Sequence, residues 1–427
     1  MLKAPRGTMD ILPKNAARWH FLEDTFKKIC YSYGYQEIRT PIIEQTELFQ
    51  RGVGESTDVI EKEMYSFQDR GGRSISLRPE GTAPVARAYI EHKMYNLPQP
   101  VKMYYYGPMF RYDRPQAGRY RQFYQLGVEA LGAADPAIDA EVIMLAREFF
   151  LEIGLDDLVL QLNSVGCPEC RLSYREKLVS FFQQHEQSLC SDCQRRLMQN
   201  PLRLLDCKKE KCGFIAQKAP VIKDHLCLSC REHFDSLLHS LDALKVPYEL
   251  NTQLVRGLDY YTKTAFEFIE GSHKSQNSLG GGGRYDCLVE TYGGPATPGI
   301  GVALGVERIL MALESKNIEE KLPENAGIFV AVAEHSLSNI RWELVYALRR
   351  KGFYVDTDFL GHRSLRSQLK TANKKGFPYL IIIGPDEVKR GNITLRNMKS
   401  GSQEEVSMEK LSVYLSSLMG ERPEEGC

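Results

Sequence analysis

The chain has no net charge: 55 Lys and Arg are balanced by 55 Asp and Glu among 427 residues. This excludes a general polycation, so any contact with nucleic acid must come from local basic surfaces. It also has no run of 18 or more apolar residues, which excludes a helical membrane span. The opening stretch, MLKAPRGTMDILPKN, has no apolar core and is broken by prolines, unlike a secretory signal. Internal repeats and low-complexity segments are lacking too. These absences predict a cytoplasmic protein without membrane association. Its length suits about three domains, and 43% apolar residues supply a sizeable core.

Cysteine is unevenly spread. Eight of the 11 cysteines fall between Cys167 and Cys230, as Cys167/Cys170, Cys190/Cys193, Cys207/Cys212 and Cys227/Cys230. In a reducing compartment such clustering points to metal or reduced thiols rather than disulfides. Thiolate pairs at this spacing chelate Zn²⁺, and four pairs make two tetrahedral Cys₄ sites, with the pairing left open. Reduced thiols packing a small helical domain are the other reading.

Apolar spacing at Trp19, Leu22, Phe26, Ile29 and Tyr33 predicts a helix over 16–33, stopped by Gly34. A strand is expected over 35–43, running into Pro41, and a hairpin over 63–68 and 73–78. Residues 79–92 turn into a helix. Strands follow at 102–112 and 121–129, joined by a basic loop, then a helix at 139–153. The stretch 167–233 is charged with little β character, so it reads as a small helical insertion. Strand-like sequence resumes at 247–270, Gly280–Arg284 reads as a glycine turn, and 299–313 runs from a strand into a helix. A boundary is expected near 321–326. Beyond it strands and helices alternate: strands at 328–332, 354–358, 379–384 and 393–396, helices at 336–351, 364–375 and 408–419. The tail, ERPEEGC, is expected to fray.

Four segments carry the chemistry. RPEGT at 78–82 offers acceptors for a substrate ammonium in Glu80 and Thr82. FRYDRPQAGRYRQFYQLGVE at 110–129 places Arg111, Arg114, Arg119 and Arg121 within 11 residues. Arginine's planar fork suits phosphate oxygens. VRGLDYY at 255–261 adds Arg256 and two tyrosines. GIGVALGVER at 299–308 combines glycines, which permit close backbone approach, with Arg308 leaving the first turn of a helix. Together they suit a site that grips a small zwitterion and a polyphosphate.

These segments resemble, in order, the motifs of the class II aminoacyl-tRNA synthetases, and within them the histidyl-tRNA synthetase family. YGYQEIRTP at 33–41 is similar to motif 1, whose proline lies at a dimer interface; the resemblance implies a homodimer. The 110–129 stretch is similar to motif 2 and 299–308 to motif 3. The resemblance implies ATP, with Mg²⁺, held by Arg111 at the α-phosphate, Asp113 at the nucleotide and Arg308 at the γ-phosphate. Asp113 stands where the class more often has Glu. It implies Glu80, Gly81, Thr82 and Gln125 around histidine's ammonium and carboxylate. Glu129 and Tyr261 would meet its imidazole, with Tyr260 and Tyr285 lining the pocket. Arg256 would face the reacting carboxylate and phosphate, making Arg256, Arg111 and Arg308 the catalytic set. Gln116, Arg119 and Arg121 would meet the acceptor end of the tRNA.

Imidazole needs both a donor and an acceptor to be read fully, and a carboxylate with a phenol supplies both. A pocket with such buried polar groups rejects analogues that leave them unpaired, and no segment resembles an editing domain. The implied activity is ATP-dependent ligation of L-histidine to its tRNA. The implied architecture is an α+β core with an antiparallel sheet flanked by helices, over 1–165 and 236–322. A mostly helical Cys-rich insertion occupies 166–235, and an α/β anticodon-binding domain occupies 326–420. Between Asn339 and Lys399 that last domain has 13 Lys or Arg against five Asp or Glu, which suits contact with a phosphate backbone. A paralogue that regulates ATP phosphoribosyltransferase lacks this domain, and the basic loop also argues against it. VRGLDYY with the Glu129/Tyr261 pair argues against threonine, proline or glycine as the substrate.

Overall fold

The computed structural model describes residues 2–54, 57, 59–271, 278–318, 327–360 and 363–419. The expected linker at 321–326 and the tail at 421–427 lie outside them. The chain divides into two compact units, 1–320 and 321–427.

The first unit is built on an eight-stranded sheet. Its strands run, edge to edge, Gln36–Glu37, Val101–Phe110, Gln122–Leu131, Gly299–Gly305, Ser278–Arg284, Thr262–Glu270, Leu158–Ser164 and Glu249–Leu250. The two outermost pairings are parallel and the five inner ones antiparallel. Because successive side chains point to opposite faces, each strand serves two purposes. One face is apolar: Leu126, Val128, Ile300, Val302, Leu304, Phe266 and Phe268 pack with Trp19, Leu22 and Phe26 of helix Pro13–Ser32 and with Phe149 and Phe150 of helix Ala137–Glu152. Phe26 and Phe149 meet edge to face at 5.4 Å. Burying each such side chain contributes about 1.5–3 kcal/mol. On the other face the alternate residues Gln125 and Glu267 point into a cleft, and Glu129 is buried beside them.

Two expectations are corrected here. Gly280–Arg284 is not a turn but a central strand. Its glycines serve close approach: a Cβ on Gly282 would overlap the Gly301 carbonyl, and one on Gly281 would overlap Arg256 and the Phe266 carbonyl. Nor is 247–270 a continuous strand. Only Glu249–Leu250 and Thr262–Glu270 pair, and the segment between them is a loop. The strand expected over 35–43 is also interrupted, pairing at Gln36–Glu37 in the main sheet and at Ile43–Gln45 in a three-stranded sheet with Ser74–Leu77 and Tyr65–Gln68. Pro41 has no N–H for a ladder.

Among the described residues of 166–235 there is no strand. Helices Pro168–Gln183, Ser191–Gln199 and Glu210–Ala216, with the first turns of Leu228–Ala243, enclose their own small core around Tyr174, Leu178, Phe182 and Leu197.

The second unit has a five-stranded sheet, Val355–Thr357, Ile328–Val332, Tyr379–Ile383, Asn392–Asn397 and Gln403–Ser407, with the first three parallel. Helices Ser338–Arg350 and Leu365–Lys374 pack on it. Trp342, Tyr346 and Phe359 remain exposed, and Arg341 lies 4.8 Å over the Trp342 ring.

Candidate active site

The cleft on the open face of the large sheet holds about 930 Å³. Beneath its lining residues Thr82 and Tyr285 sits Glu129, 1% exposed. Its carboxylate accepts from Thr82 Oγ1 at 2.7 Å, from Tyr105 Oη at 3.4 Å, and from the Tyr285 hydroxyl. Burial pushes its pKa up to about 8, against the lowering effect of the Tyr285 and Thr82 hydroxyls. Two glycines make room for this arrangement. A Cβ on Gly301 would overlap the Glu129 carboxylate, and one on Gly81 would overlap the Tyr105 ring.

Glu80 is 3% exposed. Its carboxylate accepts the amides of Thr82 and Ala83, both at 2.7 Å, and the Tyr260 hydroxyl at 3.3 Å. It thereby caps helix Thr82–Glu91, satisfying amides that have no partner within the helix. Burial raises its pKa, opposed by those amides. Gln125, from the same face as Glu129, has a buried Oε1 without a hydrogen-bond partner, in the cleft wall.

The loop 255–261 crosses the cleft. Arg256 pairs with Glu267 at 3.0 Å and lies 5.9 Å from the Tyr261 ring centroid. Burial works against its charge, but Glu267 and Tyr261 outweigh it and raise its pKa. Tyr260 packs on Tyr261 at 4.7 Å and meets Tyr285 edge to face at 5.8 Å.

At the other end, Arg111 donates to the Pro79 carbonyl at 2.9 Å and lies 5.3 Å over Phe123. Asp113 pairs with Arg119 at 3.0 Å. The backbones of Gln116 and Arg119 pair around Gly118, whose φ of +69° favours glycine. Arg308 donates to the Gly118 carbonyl at 3.2 Å and to the Ser278 carbonyl at 2.8 Å, tying this hairpin tip to the sheet. Burial first, then Arg119, lowers its pKa. Arg121 stacks on Tyr112 at 3.8 Å, and its backbone amide donates to Gly7. Arg111, Asp113, Arg119 and Arg308 line the cleft; Gln116 and Arg121 stand outside its lining.

The structure therefore brings Glu80, Thr82, Arg111, Asp113, Arg119, Gln125, Arg256, Tyr260, Tyr261, Tyr285 and Arg308 to one cleft. Gly81 and Glu129 pack directly against that group. Sequence reasoning missed Glu267, the partner of Arg256. It also missed Glu307, whose carboxylate accepts the Tyr124 amide at 3.0 Å and whose pKa burial lifts to about 7. The signal for Glu267 was present: an acid between two phenylalanines in the strand segment AFEFI, on the face opposite Phe266 and Phe268.

The insertion's cysteines gather in two sets, Cys167, Cys170, Cys227 and Cys230, and Cys190, Cys193, Cys207 and Cys212. Within each set the sulfurs lie within 4.8 Å of one another, a donor set that fits a soft divalent metal. None of the eight is paired in a disulfide.

The family profile described as Histidyl-tRNA synthetase matches residues 7–309. The profile described as Anticodon binding domain matches 327–418. The chain is 53% identical to the histidine–tRNA ligase of Desulforamulus reducens over 411 residues, covering 96% of this chain and 98% of that one. It is 50% identical to that of Listeria monocytogenes, covering 99% and 100%. Among solved structures, apo S. aureus histidyl-tRNA synthetase superposes with a TM-score of 0.82 at 41% identity, covering 97% and 100%. An arginine-walled cleft set against a buried carboxylate, in a chain matched over nearly its whole length in this way, leaves one assignment: the chain belongs to the histidyl-tRNA synthetase family.

Proposed function

We propose that this chain ligates L-histidine to its tRNA in two steps, at the expense of ATP. A carboxylate oxygen of histidine attacks the α-phosphorus of ATP in line, and pyrophosphate leaves. A ribose hydroxyl of the tRNA's terminal adenosine then attacks the adenylate carbonyl, and AMP leaves. Neither step needs an enzyme nucleophile, so positioning and charge neutralisation supply the catalysis.

The observation that carries this reading is Glu129, buried beside Tyr285 and Tyr261 at the end of an arginine-walled cleft. A carboxylate there accepts an imidazole N–H, and Tyr261 answers the second ring nitrogen. The unpartnered Gln125 Oε1 suits an ammonium donor, with Glu80, Gly81 and Thr82 beside it. Arg111 takes the α-phosphate, Arg256 the reacting carboxylate and phosphate, and Arg308 the γ-phosphate. Asp113 serves the nucleotide. Mg²⁺ would neutralise phosphate charge; it asks for one or two carboxylates and keeps its waters, and Asp113, Glu267 and Glu307 stand in the cleft. Gln116 and Arg119 face the acceptor end, with Arg121 fixing their hairpin. The C-terminal unit, over 326–420, offers exposed Trp342, Tyr346 and Phe359 for stacking on single-stranded anticodon bases. The functional form is a cytoplasmic homodimer, and structural zinc in the 166–235 insertion takes no part in bond making. No described helix is long and apolar enough to cross a membrane.

The test is charging of a histidine tRNA transcript with labelled histidine. ATP-dependent charging that disappears when the 3′-terminal adenosine is removed supports the reading. Charging by another amino acid in its place sinks it.

A further inference from the structure

We propose that the eight insertion cysteines form two separate zinc sites, and that these sites hold the substrate loop 255–261 in its working position. The ligand sets are Cys167, Cys170, Cys227 and Cys230, and Cys190, Cys193, Cys207 and Cys212. The second half of the proposal rests on the function proposed above; the first half does not.

The pairing follows from the helices. Cys167, Cys190 and Cys227 are each the cap residue of a helix, with extended backbone, and Cys170, Cys193 and Cys230 lie three residues on, in the first turns of Pro168–Gln183, Ser191–Gln199 and Leu228–Ala243. Cys212 lies in the first turn of Glu210–Ala216. Sulfurs so placed face the positive ends of helices, which favour thiolate. The first set joins two such helix starts. The second joins one to the Cys207/Cys212 pair.

The geometry fits a metal. Four sulfurs about 2.3 Å from zinc in a tetrahedron lie about 3.8 Å apart. The separations here are 3.5 Å for Cys167–Cys170, 4.0 Å for Cys167–Cys227 and 3.9 Å for Cys190–Cys207. Backbone amides are aimed at the sulfurs: Cys227 N–H donates to Cys170 Sγ at 3.1 Å, and Cys190 N–H to Cys212 Sγ at 3.2 Å. Such outer-shell donors orient ligands and stabilise their charge. Gly166, at φ +67°, lets the backbone lie against Cys170, where a Cβ would stand 2.7 Å from the Cys170 Cβ. A segment of this size builds only a small core, and a metal staples it.

The clamp follows from what the ligands carry with them. Arg171, next to Cys170, donates to the Asp259 carbonyl at 3.3 Å. Asn200 and Arg203, between Cys193 and Cys207, donate to Asp259 Oδ1 at 2.9 Å and to the Arg256 carbonyl at 3.2 Å. Both metal sets thus reach the loop that bears Arg256, Tyr260 and Tyr261. Arg203, Cys190 and Cys207 stand in the wall of the same cleft. Arg171, Asn200 and Arg203 are positioning residues, not catalytic ones.

The experiment begins with elemental analysis of the full chain, purified without chelator. Two zinc ions per chain are expected. Cys170→Ser and Cys193→Ser should each lose one, and the double variant both. Folded, fully active protein without metal would overturn the sites in favour of reduced thiols, and a single zinc lost from only one variant would overturn the second site. The clamp is read by pyrophosphate exchange on protein that keeps both zincs. Asn200→Ala and Arg203→Ala should raise the KM for histidine about ten-fold, roughly the loss expected for a hydrogen bond to a charged or catalytic segment. The KM for ATP should change much less, and Arg203→Lys should recover part of the loss. Unchanged histidine KM in both variants, or equal changes in the two substrates, would overturn the clamp. If no amino acid supports exchange, the proposed function and the clamp fail together, while the metal count still decides the sites.

Discussion

The hydroxyl of Thr82, at the start of a helix, donates at 2.7 Å to the carboxylate of Glu129, 47 residues away on a central strand. Helix and sheet are thereby joined at the floor of the cleft, and the joint is one that protonation of Glu129 alters. Burial lifts the Glu129 pKa to about 8 from an ordinary 4.5. Its neutral form is therefore favoured by folding, and that stabilisation is complete below about pH 4.5 and lost as pH rises to about 8. The free protein should lose stability over this window, and Glu129→Gln should flatten the slope. Denaturant titrations at pH 5, 6, 7 and 8 read it directly. Histidine, by donating an imidazole N–H, favours the ionised carboxylate, so its affinity should rise towards pH 8 in the native protein and lose that rise in the variant.

Gly301 faces Glu129, and a Cβ there would overlap the carboxylate. Gly301→Ala should displace Glu129 while leaving the apolar face of the strand intact. The expected result is a loss of histidine-dependent kcat/KM of about 10²-fold or more, roughly 3 kcal/mol. Stability should fall by only about 1–3 kcal/mol. Steady-state kinetics beside thermal melts separate the two.

Arg308 holds the Gly118 and Ser278 carbonyls and stands in the cleft near Arg119. Arg308→Ala should raise the KM for ATP about ten-fold or more while leaving equilibrium binding of histidine nearly unchanged. Calorimetric titration of histidine, with ATP kinetics alongside, checks both halves.

A structural control lies away from the cleft. Asp139 and Arg284 are fully buried and pair at 2.7 Å, and Asp139 also takes Thr264 at 2.6 Å and His233 at 2.9 Å. Removing one partner leaves an uncompensated buried charge. Arg284→Met should cost about 3–5 kcal/mol in urea unfolding, and activity per folded molecule should change far less.

The residues of the cleft were legible because their chemistry is local. Clustered arginines, glycine runs and paired tyrosines announce themselves within a few positions, and the helical insertion follows from its charge and weak β character. What escaped depends on distant strands. A run of four glycines at 280–283 reads as a turn until the neighbouring strands show how little room a side chain would have. Glu267 reads as one acid in an apolar strand until Arg256 lies across it. Strand Gln403–Ser407 was missed because QEEVS is an exposed edge with little apolar signal. The division of the cysteines into two sets needed the helix starts, since four pairs can combine in more than one way.

Amino-acid-dependent ATP–pyrophosphate exchange, run across all twenty amino acids with Arg256→Ala beside the native chain, tests the central claim most directly. The account predicts exchange with histidine alone, and a fall of roughly 10²–10³-fold in the variant, as for loss of a group that neutralises developing charge. Exchange with a different amino acid, or none from folded protein that binds histidine, would contradict it.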